Sequence, residues 1–102
     1  MNAGEPAEAL RSRWRDLVTT ILPRAALGRP DWPVTQDHCF ARILLDNACG
    51  RPWREVIRAP AWREAPPAVL GAACSLGEAI LDDTADLAAL NRRSLMLRGK
   101  LR

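Results

Sequence analysis

The side chains best suited to chemistry lie together in one segment of this chain, residues 37–51, which reads DHCFARILLDNACGR. This segment holds the only histidine, two of the three cysteines, two aspartates and an asparagine. His38, Arg42 and Asp46 are spaced four apart, so on a helix they form a ladder along one face. We predict an exposed ladder in which Arg42 pairs with Asp46, because such ladders are usually solvated surface.

The same spacing also fits a site for a small anion. The N-terminus of a helix presents unpaired backbone N–H groups to a negative ligand, and His38 and Arg42 would lie close to it. Asp37 competes with such a ligand, because a carboxylate in the first turn occupies the same positive field. The sequence favours the solvated ladder and leaves the anion site as the alternative hypothesis.

Asn47 is a polar residue at an apolar position of this helix. It shares a face with Phe40, Ile43 and Leu44, and the opposite face also carries apolar side chains, so we predict a central helix covered on two sides. A buried amide without partners costs about 1–3 kcal/mol. We therefore predict that Asn47 bonds to the backbone of a neighbouring segment, and the alternative is that it lines a pocket with Asp46.

Metal binding and thiol catalysis are not favoured by the spacing of the candidate residues. The chain has no C-x-x-C pair, and His38 and Cys49 would lie about 16 Å apart along a helix. His38 directly precedes Cys39, and neighbouring side chains on a helix diverge. No glycine-rich phosphate loop or nucleophile elbow occurs. We predict no metal and no cofactor, and the sequence favours a binding role over an enzymatic one.

The C-terminal end of the chain is basic. From Asn91 it reads NRRSLMLRGKLR, with no acidic residue, which is typical of a contact with nucleic acid or another polyanion. The alternative is a solvated helix face whose arginines favour the helix dipole. The candidate contacts are Arg92, Arg93 and Arg98, which we expect to point outward on the last helix, and Lys100 after its end.

Length and composition predict one small folded domain. The chain has 102 residues, of which 48% are hydrophobic and 26% charged, and its net charge is +3, values typical of a globular protein. We expect residues 1–5 to be a flexible tail and residues 6–102 to form a single helical domain. An odd number of cysteines and no secretory segment favour a reduced, cytoplasmic protein, and no stretch is apolar enough for a membrane helix.

Hydrophobic spacing and helix-ending residues predict an all-α fold, a small bundle of about four main helices with a connecting segment rich in proline and tryptophan. The first helix should begin near Pro6 and end before Pro23. The second should run from Gln36 to Cys49, with Thr35 as its N-cap and Gly50 after its end. The remaining boundaries are a connection over residues 52–67 with a helical turn at 53–57, a third helix from Pro66 to about Asp82, and a fourth beginning at Asp83 or Thr84.

Two blocks of this sequence resemble a small family of bacterial and fungal proteins for which no activity is established. They are D-H-C-F-x-R-I-x-L-D-N, here at residues 37–47, and S-L-x-x-R-G-K, here at residues 94–100. Some members are labelled acetyltransferases, but this chain lacks the pyrophosphate loop and the mixed sheet of that fold. The resemblance implies that the positions to test are Asp37, His38, Cys39, Arg42, Asp46, Asn47, Arg98, Gly99 and Lys100.

Two classes of function follow from the sequence. The first is a helical binding module that contacts a protein partner, a second copy of itself or nucleic acid through exposed tryptophans and the Arg-rich last helix. The second is a small-anion site or minor enzymatic activity on helix 36–49, completed by Arg98 and Lys100 if the C-terminus packs back over that helix. An accessory subunit of a larger enzyme is a variant of the first class.

Overall fold

The computed structural model describes residues 7–100, and within them every regular element is helical. The all-α fold predicted from the sequence is therefore confirmed, whereas the predicted tail, residues 1–5, lies outside the described residues. In chain order the elements are α1 (Ala7–Asp16), a π-helical turn (Leu17–Ile21), α2 (Leu22–Ala26), α3 (Asp37–Cys49), a 3-10 turn (Trp53–Glu55), α4 (Ala61–Glu64), α5 (Pro67–Leu81) and α6 (Leu87–Leu97).

The first helix does not end before Pro23, so that prediction was wrong. It passes through the π-helical turn and continues as α2. Within the turn the Leu22 N–H donates to the Leu17 carbonyl, five residues back. In an ordinary α-helix the proline ring clashes with the carbonyl four residues earlier. The wider π turn relieves that clash, and the helix continues to Ala26.

The π turn also keeps the buried side of this helix in one direction. The buried residues Leu10, Trp14, Val18, Leu22 and Ala26 recur every four positions. On an α-helix, a spacing of four drifts around the axis by about 40° at each step. A π turn rotates less per residue, so it offsets the drift and leaves α1 and α2 facing the same core.

The second predicted helix is α3, and it lies at the centre of the molecule as expected. It packs against α5, α6, the π turn and the 3-10 turn, and its buried apolar residues are Phe40, Ile43, Leu44 and Leu45. Gly50 follows its end with φ 73°, a left-handed conformation that glycine adopts without strain.

Thr35 is not the N-cap of α3, which corrects the prediction. The residue at that position is Gln36, whose side chain makes no capping bond. Instead, the carboxylate of Asp37 accepts a hydrogen bond from the N–H of His38 at 2.6 Å. A first-turn donor is thus satisfied from inside the helix.

A short acidic connection joins the last two helices, and both pack against α3. α5 begins one residue after the predicted Pro66, and α6 begins at Leu87, later than the predicted Asp83 or Thr84. The reason for the later start is Asp86, whose side chain accepts hydrogen bonds from the N–H groups of Ala88 and Ala89 at 3.0 and 3.4 Å. An aspartate at this position is a strong N-cap.

The four tryptophans have different environments. Trp14 is buried in the core, Trp32 packs edge-on against Phe40, and Trp53 is half-buried. Only Trp62 is exposed, with 37% of its surface accessible. The expectation of several exposed tryptophans was therefore wrong. Along residues 7–100, no helix combines the length and the apolar character needed to span a membrane.

Candidate functional site

Asp46 is a fully buried carboxylate between α3, α6 and the 3-10 turn. Its Oδ1 accepts hydrogen bonds from the Trp53 backbone N–H at 2.8 Å and from Arg98 Nη2 at 3.1 Å. Its Oδ2 accepts from Ser94 Oγ at 2.7 Å and from Arg98 Nε at 2.6 Å. Both oxygens are satisfied, as a buried charge requires.

The exposed ladder of His38, Arg42 and Asp46 does not form, because α6 covers one end of it. Arg42 does not pair with Asp46. Its two terminal nitrogens donate instead to Ser94 Oγ and to Asn91 Oδ1, both at 2.8 Å. Ser94 therefore links Arg42 to Asp46, and the arginine is held against α6 rather than in solvent.

Arg98 also differs from its prediction, since it turns inward from the end of α6. Its side chain is 26% exposed and forms a two-pronged contact with Asp46, the geometry that makes arginine–carboxylate pairs strong. The hydrogen bond to Asp46 raises the pKa of Arg98. The end of α6 thus packs back over α3 and brings Arg98, but not Lys100, to the residues of the small-anion hypothesis.

Asn47 bonds to the backbone of a neighbouring segment. Its Nδ2 donates to the Leu90 carbonyl on α6 at 2.9 Å and to the Ile43 carbonyl at 2.8 Å. Its Oδ1 accepts from Arg93 Nη1 at 3.1 Å. Asn47 therefore fixes the register of α3 against α6, as predicted, and it lines none of the clefts described below.

A cationic cleft opens beside this network, with a volume of about 380 Å³. Three arginines from three different elements line it, Arg42 from α3, Arg54 from the 3-10 turn and Arg98 from the end of α6. His38 and Ala41 from α3 and Trp53 complete its wall, and no carboxylate is among the lining residues. The guanidinium of Arg54 lies over the Trp53 ring, 5.0 Å from its centroid.

A second cleft, of about 220 Å³, lies next to the first, and we call it the tryptophan cleft. It shares His38, Ala41 and Trp53 with the cationic cleft. The rest of its lining is mostly apolar and comes from the first helix, α3 and α4, namely Trp14, Val18, Thr19, Asp37, Leu45, Ala61 and Trp62.

The remaining candidates from the sequence lie outside both clefts. Arg92, Arg93 and Lys100 are exposed, and only Arg93 contacts α3, through Asn47. The structure therefore gathers His38, Arg42 and Arg98 at one cleft, places Asp46 beneath it, and separates these residues from the outer face of α6.

Trp53 and Arg54 are cleft residues that the sequence analysis missed. Both were assigned to a helical turn within the connection rich in proline and tryptophan, and neither was named as a site residue. The sequence signal for these two residues was an arginine next to a tryptophan in a short helical turn. This turn directly follows the α3 segment. That signal is weak, because the position of the turn depends on its hydrogen bond to Asp46.

The cysteines do not form a reactive or metal-binding cluster in the described part of the chain. No disulfide joins Cys39, Cys49 and Cys74, and burial raises the pKa of the Cys49 thiol, with the charge of Asp46 raising it further. Within residues 7–100 no group of three or more His, Cys, Asp and Glu side chains is placed to hold a metal ion.

Comparison with known proteins gives no relative from which a role could be carried over. No protein-family model, no curated protein and no solved structure matches this chain.

Proposed function

We propose that this protein binds a small anion in the cationic cleft. The observation that supports the proposal is the convergence of Arg42, Arg54 and Arg98 with His38 on one concave surface without a lining carboxylate. Guanidinium groups present several N–H donors in a plane, which suits the oxygens of phosphate and carboxylate groups.

Two of the three arginines are already held in place, which favours binding. Arg42 is fixed by Ser94 and Asn91, and Arg98 by Asp46. Ordering a long side chain at an interface costs about 0.5–1.5 kcal/mol, and here the fold has met that cost before any ligand arrives. Each guanidinium has five N–H donors, so both retain donors for a ligand.

The charge balance around the cleft is positive. Asp46 neutralises one of the three arginines from below. Glu55 lies close enough to act on Arg98, but it also faces Arg51 at 3.9 Å. The three arginines therefore keep an excess positive charge, and this excess attracts an anion.

Calorimetry with inorganic phosphate and pyrophosphate at low salt tests the proposal, using Arg54→Gln as the cleft variant. A hydrogen bond to a charged group contributes about 1.5–3 kcal/mol, so we expect this variant to bind at least tenfold more weakly. Arg92→Gln is the matched control, because Arg92 is equally a surface arginine but lines neither cleft. Equal weakening by both variants, or no binding by the wild type, would overturn the proposal.

A contact with nucleic acid or a protein partner through the outer face of α6 is the second candidate. The exposure of Arg92, Arg93 and Lys100 favours it. If an oligonucleotide binds and Arg92→Gln weakens it more than Arg54→Gln does, the polyanion site is α6 and not the cleft. We also propose a cytoplasmic location, supported by three cysteines that form no disulfide with one another.

Membership of the bacterial and fungal family with the two sequence blocks is likewise a proposal. It is supported by a contact between the blocks, since Asp46 of the first block binds Ser94 and Arg98 of the second. We infer that the two blocks recur together in the family because their residues form the cleft and its supporting network.

A further inference from the structure

We infer that the anion bound by this protein carries an aromatic ring, which occupies the tryptophan cleft while the acidic group occupies the cationic cleft. The inference rests on the proposed function and names its ligand class, a compact aryl phosphate or aryl carboxylate. Four observations carry it: the continuity of the two clefts, their difference in polarity, the fit in volume and the fixed position of the tryptophans.

The two clefts are neighbours with a shared wall. His38, Ala41 and Trp53 line both of them. Ala41 has the smallest side chain of the three, and it lies on the same turn of α3 as His38 and Arg42. A ligand whose ring is bonded directly to its acidic group can therefore reach the arginines and the tryptophans at the same time.

The tryptophan cleft suits an apolar group because most of its lining is apolar, and the Thr19 hydroxyl and one oxygen of Asp37 already have partners. Thr19 Oγ1 donates to the Arg15 carbonyl at 2.5 Å. The carboxylate of Asp37 accepts the His38 N–H and lies 3.5 Å from His38 Nδ1. The rest of the surface is mostly apolar, so a sugar or another polar group would lose its hydrogen bonds with water there.

The volume of the tryptophan cleft, about 220 Å³, is sufficient for one aromatic ring. An apolar cavity of about 150 Å³ in another protein admits benzene. Trp53 and Trp62 supply indole surface to the cleft, whereas Trp14 is almost wholly buried, and aromatic rings prefer stacked or edge-to-face contact with one another. This preference favours an aryl group over an aliphatic group of the same size.

The indole surfaces are fixed before a ligand binds. Trp14 is 3% exposed and belongs to the core. Trp62, the most exposed of the three, lies under the guanidinium of Arg15, whose Cζ is 4.7 Å from the ring centroid. Arg54 is placed over Trp53 in the same way, and such cation–π contacts restrain a side chain at the surface.

The test compares phenyl phosphate, cyclohexyl phosphate and inorganic phosphate by calorimetry with the full chain. We expect phenyl phosphate to bind about tenfold more tightly than inorganic phosphate, with cyclohexyl phosphate between them. Trp62→Ala should remove most of this gain and leave inorganic phosphate binding unchanged, because Trp62 does not line the cationic cleft. Val56→Ala is the control, since Val56 is exposed but lines neither cleft.

The outcomes separate the two proposals. If inorganic phosphate binds in an Arg54-dependent manner but phenyl phosphate binds no more tightly, the aryl ligand is wrong and the anion site stands. A gain that survives in Trp62→Ala also overturns the placement of the ring. If none of the three phosphates binds, the anion site itself is wrong.

Discussion

Asp46 connects three parts of the chain that are distant in sequence. Through its two oxygens it holds the 3-10 turn at Trp53 and two positions of α6, Ser94 and Arg98. Because the cationic cleft lies between these same elements, the carboxylate shapes the cleft without lining it. Asp46 is therefore a positioning residue for both Arg98 and the turn that carries Arg54.

Replacing Asp46 with alanine should strongly destabilise the fold. The change leaves the Trp53 N–H, the Ser94 hydroxyl and Arg98 without their acceptor, and breaking a buried ion pair costs about 3–5 kcal/mol. Because Arg98 is partly exposed, we expect a loss near 3 kcal/mol in urea unfolding. Asp31→Ala, at an exposed position, should change the stability by less than about 0.5 kcal/mol. Similar values for the two variants would show that the network contributes little.

The Cys49 thiol should be a poor nucleophile at neutral pH. Burial and the nearby Asp46 raise its pKa, so less thiolate is present at a given pH, and the thiolate is the reactive form. We expect its alkylation rate in the folded protein to keep rising at an alkaline pH where the rate in urea has levelled off. Site-resolved mass spectrometry measures both rates. Parallel pH profiles would indicate that the thiol is only shielded, with no change in its ionisation.

At the scale of single residues, the sequence predicted positions along a helix better than it predicted side-chain contacts. Helical spacing places His38, Arg42 and Asp46 on one face, which is correct. It does not say which element covers that face, and α6 lies about fifty positions further along the chain. The partners Ser94 and Arg98 were therefore out of reach of a local argument, although the Asn47 contact followed from its apolar position.

At the scale of elements, the close packing of α5 on the π turn and α3 depends on Gly77. A Cβ at this position would lie 2.5 Å from Leu17 Cδ2 and 3.3 Å from Leu44 Cδ1, and both leucines are buried. Overpacking of this kind typically costs about 1–3 kcal/mol. The glycine allows the three elements to approach one another.

Gly77→Ala should therefore lower the stability by about 1–2 kcal/mol, after allowing for the better helix propensity of alanine. Gly71→Ala is the matched control in the same helix, because a Cβ there meets nothing within 4 Å. We expect this change to raise the stability by about 0.5–1 kcal/mol. Thermal or urea unfolding measures both, and a stabilising Gly77→Ala would contradict the packing described here.

The helix boundaries were predictable where one residue decides them and not where two signals compete. Gly50 ends α3 because a glycine, which has no Cβ, adopts the left-handed conformation there without strain. Pro23 was expected to end the first helix, but the π turn accommodates the proline. The local sequence does not indicate such a turn. At α6 the start was predicted at Asp83 or Thr84, but Asp86 caps the helix three and two residues later.

At the scale of the whole molecule, α3 is the element on which the others depend. Its apolar side chains belong to one core cluster shared with the first helix, α5 and α6. We predict that urea unfolding followed by tryptophan fluorescence and by circular dichroism gives coincident transitions, as a single cooperative unit requires. A fluorescence change that precedes the loss of helix would show that the segment carrying Trp53 and Trp62 opens separately.

The fold class follows from the sequence because helical periodicity and helix-ending residues act locally. The clefts do not follow from it, because each is built from three or more segments. The cationic cleft needs α3, the 3-10 turn and the end of α6, and the tryptophan cleft needs the first helix, α3, the turn and α4. The residues that line the clefts are brought together by tertiary contacts, which no single stretch of sequence encodes.

The π turn has a consequence for comparing this chain with others. Residues 17–21 hold one residue more than an α-helix of the same reach would use, and Thr19 and Thr20 are exposed there. A chain that lacks one of these threonines can close this segment into a regular α-helix and keep the same apolar residues on one side. Trp14 and Leu22 then still face the same core. In an alignment, a one-residue gap at this place is therefore compatible with the same packing.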